Sequence, residues 1–238
     1  MKYENEKLLD LYQLKVEEHW LTMFSPILKY LGDLKGKRVL DIGCGSGELT
    51  SELAKSAKQV VGLDLSKKWI SRCQNKYHQK NLQFVQADAS DLKLFRNNSF
   101  DMVVMNMVLL NVHPASLVSK VLHEVKRVVK SGGDFIFSDL HPLCIMTKKE
   151  GRRRQEYAKN FSYFKDGAEF SPIIKLVNNK EIKFTDHHWT LDFYTQELSR
   201  LNIYIKRIIE SRYPESAPKK FYRYSFPEYI IFCCKKII

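Results

Sequence analysis

The 238-residue chain lacks any apolar run of about 18 residues, so the sequence offers no helical membrane span. Its opening, MKYENEKLLD, is polar and acidic, without the basic start and apolar stretch of a secretory leader. The five cysteines, Cys44, Cys73, Cys144, Cys233 and Cys234, form no C-x-x-C pair. That excludes a zinc knuckle and a paired disulfide framework, and no metal-ligand spacing is present. Reduced cysteines in a cytoplasmic protein are the expectation. There is no internal repeat and no low-complexity tract. What is present is ordinary for one globular domain: 44% hydrophobic and 28% charged residues. The formal charge is +12, and residues 200–238 hold nine Lys and Arg against three Glu. Such a field favours anionic partners without specifying one.

Apolar residues at helical spacing cover 6–31, with Pro26 expected to break the run into two helices. Short apolar runs then alternate with helical patterns. Strands are expected at 38–42, 59–64, 82–86, 101–105 and 134–138, the last after Gly132-Gly133. Helices are expected at 48–57, 66–77 and 114–129. This alternation argues for an α/β fold, a parallel sheet with helices on both faces. The pattern breaks after Ser138. Residues 142–190 are aromatic and basic, with a hairpin expected to turn at Asn178-Asn179, and are long enough to suggest a lid. A helix at 191–201 and strands at 203–209 and 228–235 follow. No helix separates those two strands, so they should pair antiparallel. The chain reads as a single domain, 1–238: N-terminal helices at 1–35, a ligand-binding core at 36–140, the insertion at 142–190, and the last helix and strands at 191–238.

Gly43, Gly45 and Gly47 follow the first strand and open a helix, where a ligand can approach the backbone closely. The dinucleotide pattern G-x-G-x-x-G needs a sixth-place glycine, and Glu48 stands there. Asp41 precedes the loop by two residues; it would repel a pyrophosphate and suits a cationic amino group. Asp64 ends the second strand, where a carboxylate can accept hydrogen bonds from both ribose hydroxyls. The ligand implied is a nucleoside carrying an ammonium and no phosphate, as S-adenosylmethionine does.

The stretches VLDIGCGSG (39–47), VVGLDLS (60–66), FVQADASDL (84–92) and FDMVVMNMVLLNV (100–112) resemble a class I S-adenosylmethionine-dependent methyltransferase, in order and spacing. HPL at 141–143, HHWTLDFYTQELSRLNIYIKRIIES and FPEYIIFCCKK resemble the bacterial small-molecule, type 11-like branch. The resemblance implies a Rossmann-like sheet of seven strands, the last antiparallel between the fifth and sixth. It implies S-adenosyl-L-methionine as cofactor and S-adenosyl-L-homocysteine as product. Asp41, Gly43, Cys44, Gly45 and Gly47 would line the methionine end. Asp64 would hold the ribose and Leu65 would pack on adenine. Asp88 and the Ala89 amide would meet the adenine edge, and Asn106 and Met107 would face the methionine moiety and the acceptor.

An oxygen acceptor commonly needs a base, and histidine titrates in the useful range. His141, just beyond strand five, is the expected base, with a backbone-binding role as its alternative. His188, like His187, could close over the site from the insertion or serve structure alone. His113 reads as a helix cap. Tyr157, Phe161, Tyr163, Phe164, Phe170 and Trp189 either bury the insertion on the sheet or wall a flat substrate. The expected acceptor is a small molecule, anionic or aromatic, methylated at oxygen. RNA is the alternative, suggested by the basic connection at 212–227 with Arg212, Lys219, Lys220 and Arg223. No N-P-P-[FY] pattern follows strand four, where the sequence is MNMVLL, which argues against amino-nitrogen methylation of bases. Oligomeric state is not legible.

Overall fold

In a computed structural model, the described residues are 16–146, 149–150, 153–175, 181–217 and 226–237. The helical start comprises α1 (Val16–His19), a π-helical stretch (Trp20–Phe24) and α2 (Ser25–Leu31). Pro26 does not break it. Proline sits in the first turn of α2, where its missing N–H is tolerated, and the Ser25 N–H reaches back to the Trp20 carbonyl. The wider turn absorbs the proline, and the helical hydrogen bonding runs on from Val16 to Leu31.

The core alternates β1 (Arg38–Ile42), α3 (Glu48–Leu53), β2 (Gln59–Asp64), α4 (Lys67–Lys76), β3 (Leu82–Gln86), β4 (Phe100–Asn106), α5 (Ala115–Val128) and β5 (Val129–Leu140). After β5 come α6 (Pro142–Met146), β6 (Lys149–Glu150), β7 (Arg153–Tyr157), β8 (Ala168–Lys175), β9 (Glu181–Lys183) and β10 (Asp186–His188). The chain then returns through α7 (Leu191–Arg200), β11 (Ile203–Glu210) and β12 (Tyr229–Lys236). The main sheet has the order β11-β12-β5-β4-β1-β2-β3. β12 is antiparallel to both β5 and β11, and the β1–β5 pairings are parallel. This is the expected Rossmann-like sheet with its last strand reversed.

The strand sequences alternate to feed two cores. Leu40, Ile42, Leu63, Val103, Met105, Phe135, Phe137 and Phe232 pack with α5 and α7 on one face. Val39, Val60, Met102, Val104, Ile136 and Ile231 pack on the other with Met23, Ile27, Leu31, Leu49 and Leu53. The period of two along each strand makes this division. Phe137 stacks on Phe232, centroids 4.6 Å apart, locking the reversed strand onto its neighbour.

Strand five does not start after Gly132-Gly133: β5 begins at Val129, and the glycines lie at an irregularity inside it. A Cβ on Gly133 would lie 2.8 Å from the Lys130 carbonyl and 2.9 Å from that of Asp101, so the backbones approach too closely for a side chain. The insertion forms a second antiparallel sheet, β10-β8-β7-β6, with β9 on β8. Asn178-Asn179 lie outside the described residues. The Tyr157 hydroxyl donates to the Ile145 carbonyl within the insertion, and Trp189 Nε1 donates to the Leu109 carbonyl at 2.9 Å, tying the insertion to the core. Among the described residues, no helix is long and apolar enough to cross a membrane.

Candidate functional site

The carboxyl ends of β1, β2 and β4 open into a cavity of about 440 Å³. The loop after β1 is pinned by two amides, Gly43 N and Cys44 N, donating to the Leu63 carbonyl at 2.7 and 2.9 Å. Gly43 has φ +69°, and a Cβ there would fall 2.3 Å from Val108 Cγ2. Glycine is therefore required both by conformation and by space.

Asp41 is buried, and Thr50 Oγ1 donates to its Oδ2 at 2.7 Å. Burial pushes its carboxyl up to about 7, the Thr50 bond opposing and Asp64 adding to the rise. Asp64 accepts the Gly45 amide on Oδ2 at 3.0 Å and the Ser66 amide on Oδ1 at 2.8 Å. It thereby fastens the glycine loop to the start of α4. Asp88 lies exposed on the wall, its Oδ1 accepting the Ser90 amide at 2.8 Å. Ser138 Oγ donates to Asn106 Oδ1 at 2.9 Å. Met107 holds φ +54°, a strained value for a non-glycine, fixed by its N–H to the Ser138 carbonyl. Burial and the neighbouring Cys73 push the Cys44 thiol well up, so it stays protonated and unreactive.

Ten of the eleven residues expected at the cofactor line this one cavity: Asp41, Gly43, Cys44, Gly45, Asp64, Leu65, Asp88, Ala89, Asn106 and Met107; Gly47 does not. Gly47 instead packs the loop tightly: a Cβ there would meet Cys73 Sγ and Tyr77 at 2.9 Å. The donor set suits S-adenosylmethionine. A buried carboxylate sits beneath the glycine loop, a second stands at the end of β2, and Gly45 has open space where a Cβ would project.

The two expected catalytic histidines are placed elsewhere. His141 is absent from the cavity wall. Its Nδ1 accepts the Leu143 amide at 3.1 Å, which puts the ring proton on Nε2, facing Glu210 Oε1 at 3.1 Å. Burial holds its imidazole below the ordinary value, against the pull of Glu210. It joins the end of β5 to the end of β11. His188 is fully buried, with Nε2 on the Tyr163 carbonyl at 2.9 Å and its ring against Tyr163 and Phe161. Neither ring lines the cavity: closeness to the end of β5, for His141, and a place in the insertion, for His188, do not fix where a side chain points. The six insertion aromatics are likewise not on the wall. Phe170 and Trp189 are buried in the core, while Phe164 is 88% exposed. Of the basic connection, 218–225 lie outside the described residues, including Lys219, Lys220 and Arg223. Arg212 is exposed and away from the wall.

Sequence reasoning missed several wall residues. Val16, His19, Met23 and Phe24 come from the helical start, whose apolar spacing was legible but pointed only to packing. Asn111 and His113 come from the segment after β4, and Thr185 from the insertion. Asn111 Nδ2 donates to the Met107 carbonyl at 2.9 Å, bracing the strained residue.

Residues 40–137 match the family model described as a methyltransferase domain. The chain is 31% identical over 200 residues to the phthiotriol/phenolphthiotriol dimycocerosates methyltransferase of Mycobacterium leprae, covering 82% of this chain and 70% of that protein. It is 39% identical over 112 residues to the fatty-acid O-methyltransferase of Mycolicibacterium smegmatis, covering 46% of this chain and 39% of the relative. The chain thus spans well under half the length of that second relative. An S-adenosylmethionine-dependent methyltransferase from Mesorhizobium loti superposes with a TM-score of 0.67 at 21% identity, over 89% of this chain and 96% of its own. Sheet order, glycine loop, carboxylate pair and these likenesses agree: the chain belongs to the class I S-adenosylmethionine-dependent methyltransferases.

Proposed function

We propose that the protein transfers the methyl group of S-adenosylmethionine to the hydroxyl oxygen of a small, largely apolar, uncharged molecule. The observation that carries this reading is the cavity wall beyond the glycine loop. Val16, Met23, Phe24, Met107, Val112 and Leu117 make it apolar. Its charged side chains among the described residues are carboxylates, Asp41, Asp64 and Asp88, in a chain of net charge +12. Such a wall repels an anionic acceptor and favours burial of a hydrocarbon surface. Two relatives support the apolar character of the acceptor, since their names place their acceptors among lipids and fatty acids. The cofactor supplies the reactive methyl group, and the protein's task is to align acceptor and methyl and to receive a proton.

The test is methyl transfer from radiolabelled S-adenosylmethionine to three probes: 2-tetradecanol, tetradecanoic acid and bulk tRNA. Label in the alcohol is the expected result. Label in the acid would move the acceptor to a carboxylate, and label in tRNA would replace this reading with RNA methylation.

A further inference from the structure

Among the described residues, the cavity wall carries six titratable side chains: His19, Asp41, Cys44, Asp64, Asp88 and His113. Asp41 is bonded to Thr50, Asp64 to two loop amides and Asp88 to Ser90. The Cys44 thiol is held protonated. His19 is buried, edge-on to the rings of Phe24 and Tyr229. His113 is an exposed imidazole, where the other exposed group, Asp88, is an acid bonded to Ser90, and it closes the segment that begins with the wall residues Asn106 and Met107.

Its ring is held from two sides by the insertion. His187 stacks on it with centroids 4.5 Å apart and planes 15° from parallel. The Gly167 backbone abuts it so closely that a Cβ would sit 3.2 Å from His113 Cδ2. His187 is itself oriented. Its ring bonds the Leu110 carbonyl, while its buried Nδ1 has no partner, so Nδ1 carries no proton. Burial first, and His113 next, hold His187 below its ordinary value; Glu169 and Asp186 pull weakly the other way. Two imidazoles in face contact take up one proton far more readily than two. With His187 committed to the Leu110 carbonyl, His113 is the imidazole of the pair that faces the cavity.

We propose that His113 is the proton acceptor of the reaction, a catalytic residue that meets the acceptor hydroxyl in the cavity. This rests on the hydroxyl acceptor argued above. The acceptor oxygen forms its bond to the methyl carbon as the carbon–sulfur bond breaks. That electron pair stays on sulfur, and the hydroxyl proton passes to His113, which returns it to water after product leaves.

The test has an arm that needs no acceptor. S-adenosylmethionine and S-adenosylhomocysteine differ by one methyl group and one positive charge. The His113 ring-proton resonances, assigned by their loss in His113→Gln, should differ between the two complexes, while those of the remote, exposed His78 coincide. The second arm is methyl transfer to 2-tetradecanol. His113→Gln should bind both nucleotides within twofold of wild type by calorimetry and methylate the alcohol at least 100-fold more slowly, the usual worth of a general base. Identical His113 resonances in the two complexes would overturn the proposal. So would alcohol methylation by His113→Gln within threefold of wild type. Should neither enzyme methylate the alcohol while the resonances differ, His113 stands beside the reacting centre and the acceptor class is what fails.

Discussion

A methyl group placed on Gly43 would lie 2.3 Å from Cγ2 of Val108, joining the first cofactor loop to the segment after β4 through a single point of contact. Gly43→Ala should therefore suffer twice, from the clash and from φ +69°. The conformational part alone is worth about 1–2 kcal/mol. Val108→Ala should restore only the steric part. Urea unfolding of both single variants and the double variant measures this, and purely additive losses would show that the contact is not felt.

Asp64 holds two loop amides and stands where the ribose is expected. Asp64→Ala should weaken S-adenosylmethionine and S-adenosylhomocysteine alike by about 1.5–3 kcal/mol, through lost charge-assisted hydrogen bonds. NAD should not compete. Calorimetry with all three ligands decides it, and a selective loss of one nucleotide would place Asp64 elsewhere than at the ribose.

Asp41 sets a pH dependence. Its carboxyl titrates near 3.8 when unfolded and at about 7 when folded. Between those values the folded chain holds a proton that the unfolded chain has lost, so stability is highest at the acid end of the window and falls as pH rises through 7. Thermal midpoints from pH 5 to 8 should fall less steeply in Asp41→Asn than in wild type. The buried Asp139, bonded by the Tyr194 hydroxyl and also raised to about 7, keeps part of the slope in the variant. An ammonium beside Asp41 favours the ionised form, so cofactor binding near pH 6 should release a proton. Binding heats in buffers of different ionisation enthalpy reveal that release.

Trp189 is 3% exposed, and its indole N–H is bonded to the Leu109 carbonyl. Trp189→Phe removes one of two hydrogen bonds to that carbonyl, the Val112 amide at 3.0 Å remaining, and should destabilise by about 0.5–1.5 kcal/mol. The cofactor constants should change little, because Trp189 is off the wall. Chemical denaturation alongside nucleotide titration separates the two effects.

How legible all this was varied with the physics. The sheet was readable because strand alternation and the glycine loop are local signals, and Asp41 and Asp64 were readable because each sits at a fixed offset from a glycine or a strand end. His113 was not. Its character comes from His187 and Gly167, which reach it only through the folding of a distant insertion. The insertion's aromatics carried no directional information either, since a Phe170 in the core and a Phe164 in water look alike in one dimension. Pro26 was misread because a π-turn depends on backbone adjustment that side-chain spacing does not report.

The reversal of β12 bears on the order of assembly. It is made after every other strand of the sheet, yet it lies inside it, paired to β5 and β11. Until it arrives, β5 is an open edge and β11 has no neighbour, so the bridge from His141 to Glu210 has no frame to close across. Contacts between β5 and β12 span roughly a hundred residues, the kind of long-range closure that slows folding. A ribosome-bound chain lacking this strand would display the unsatisfied β5 edge to its surroundings, which makes the interval before the strand emerges the period of greatest exposure to wrong pairing.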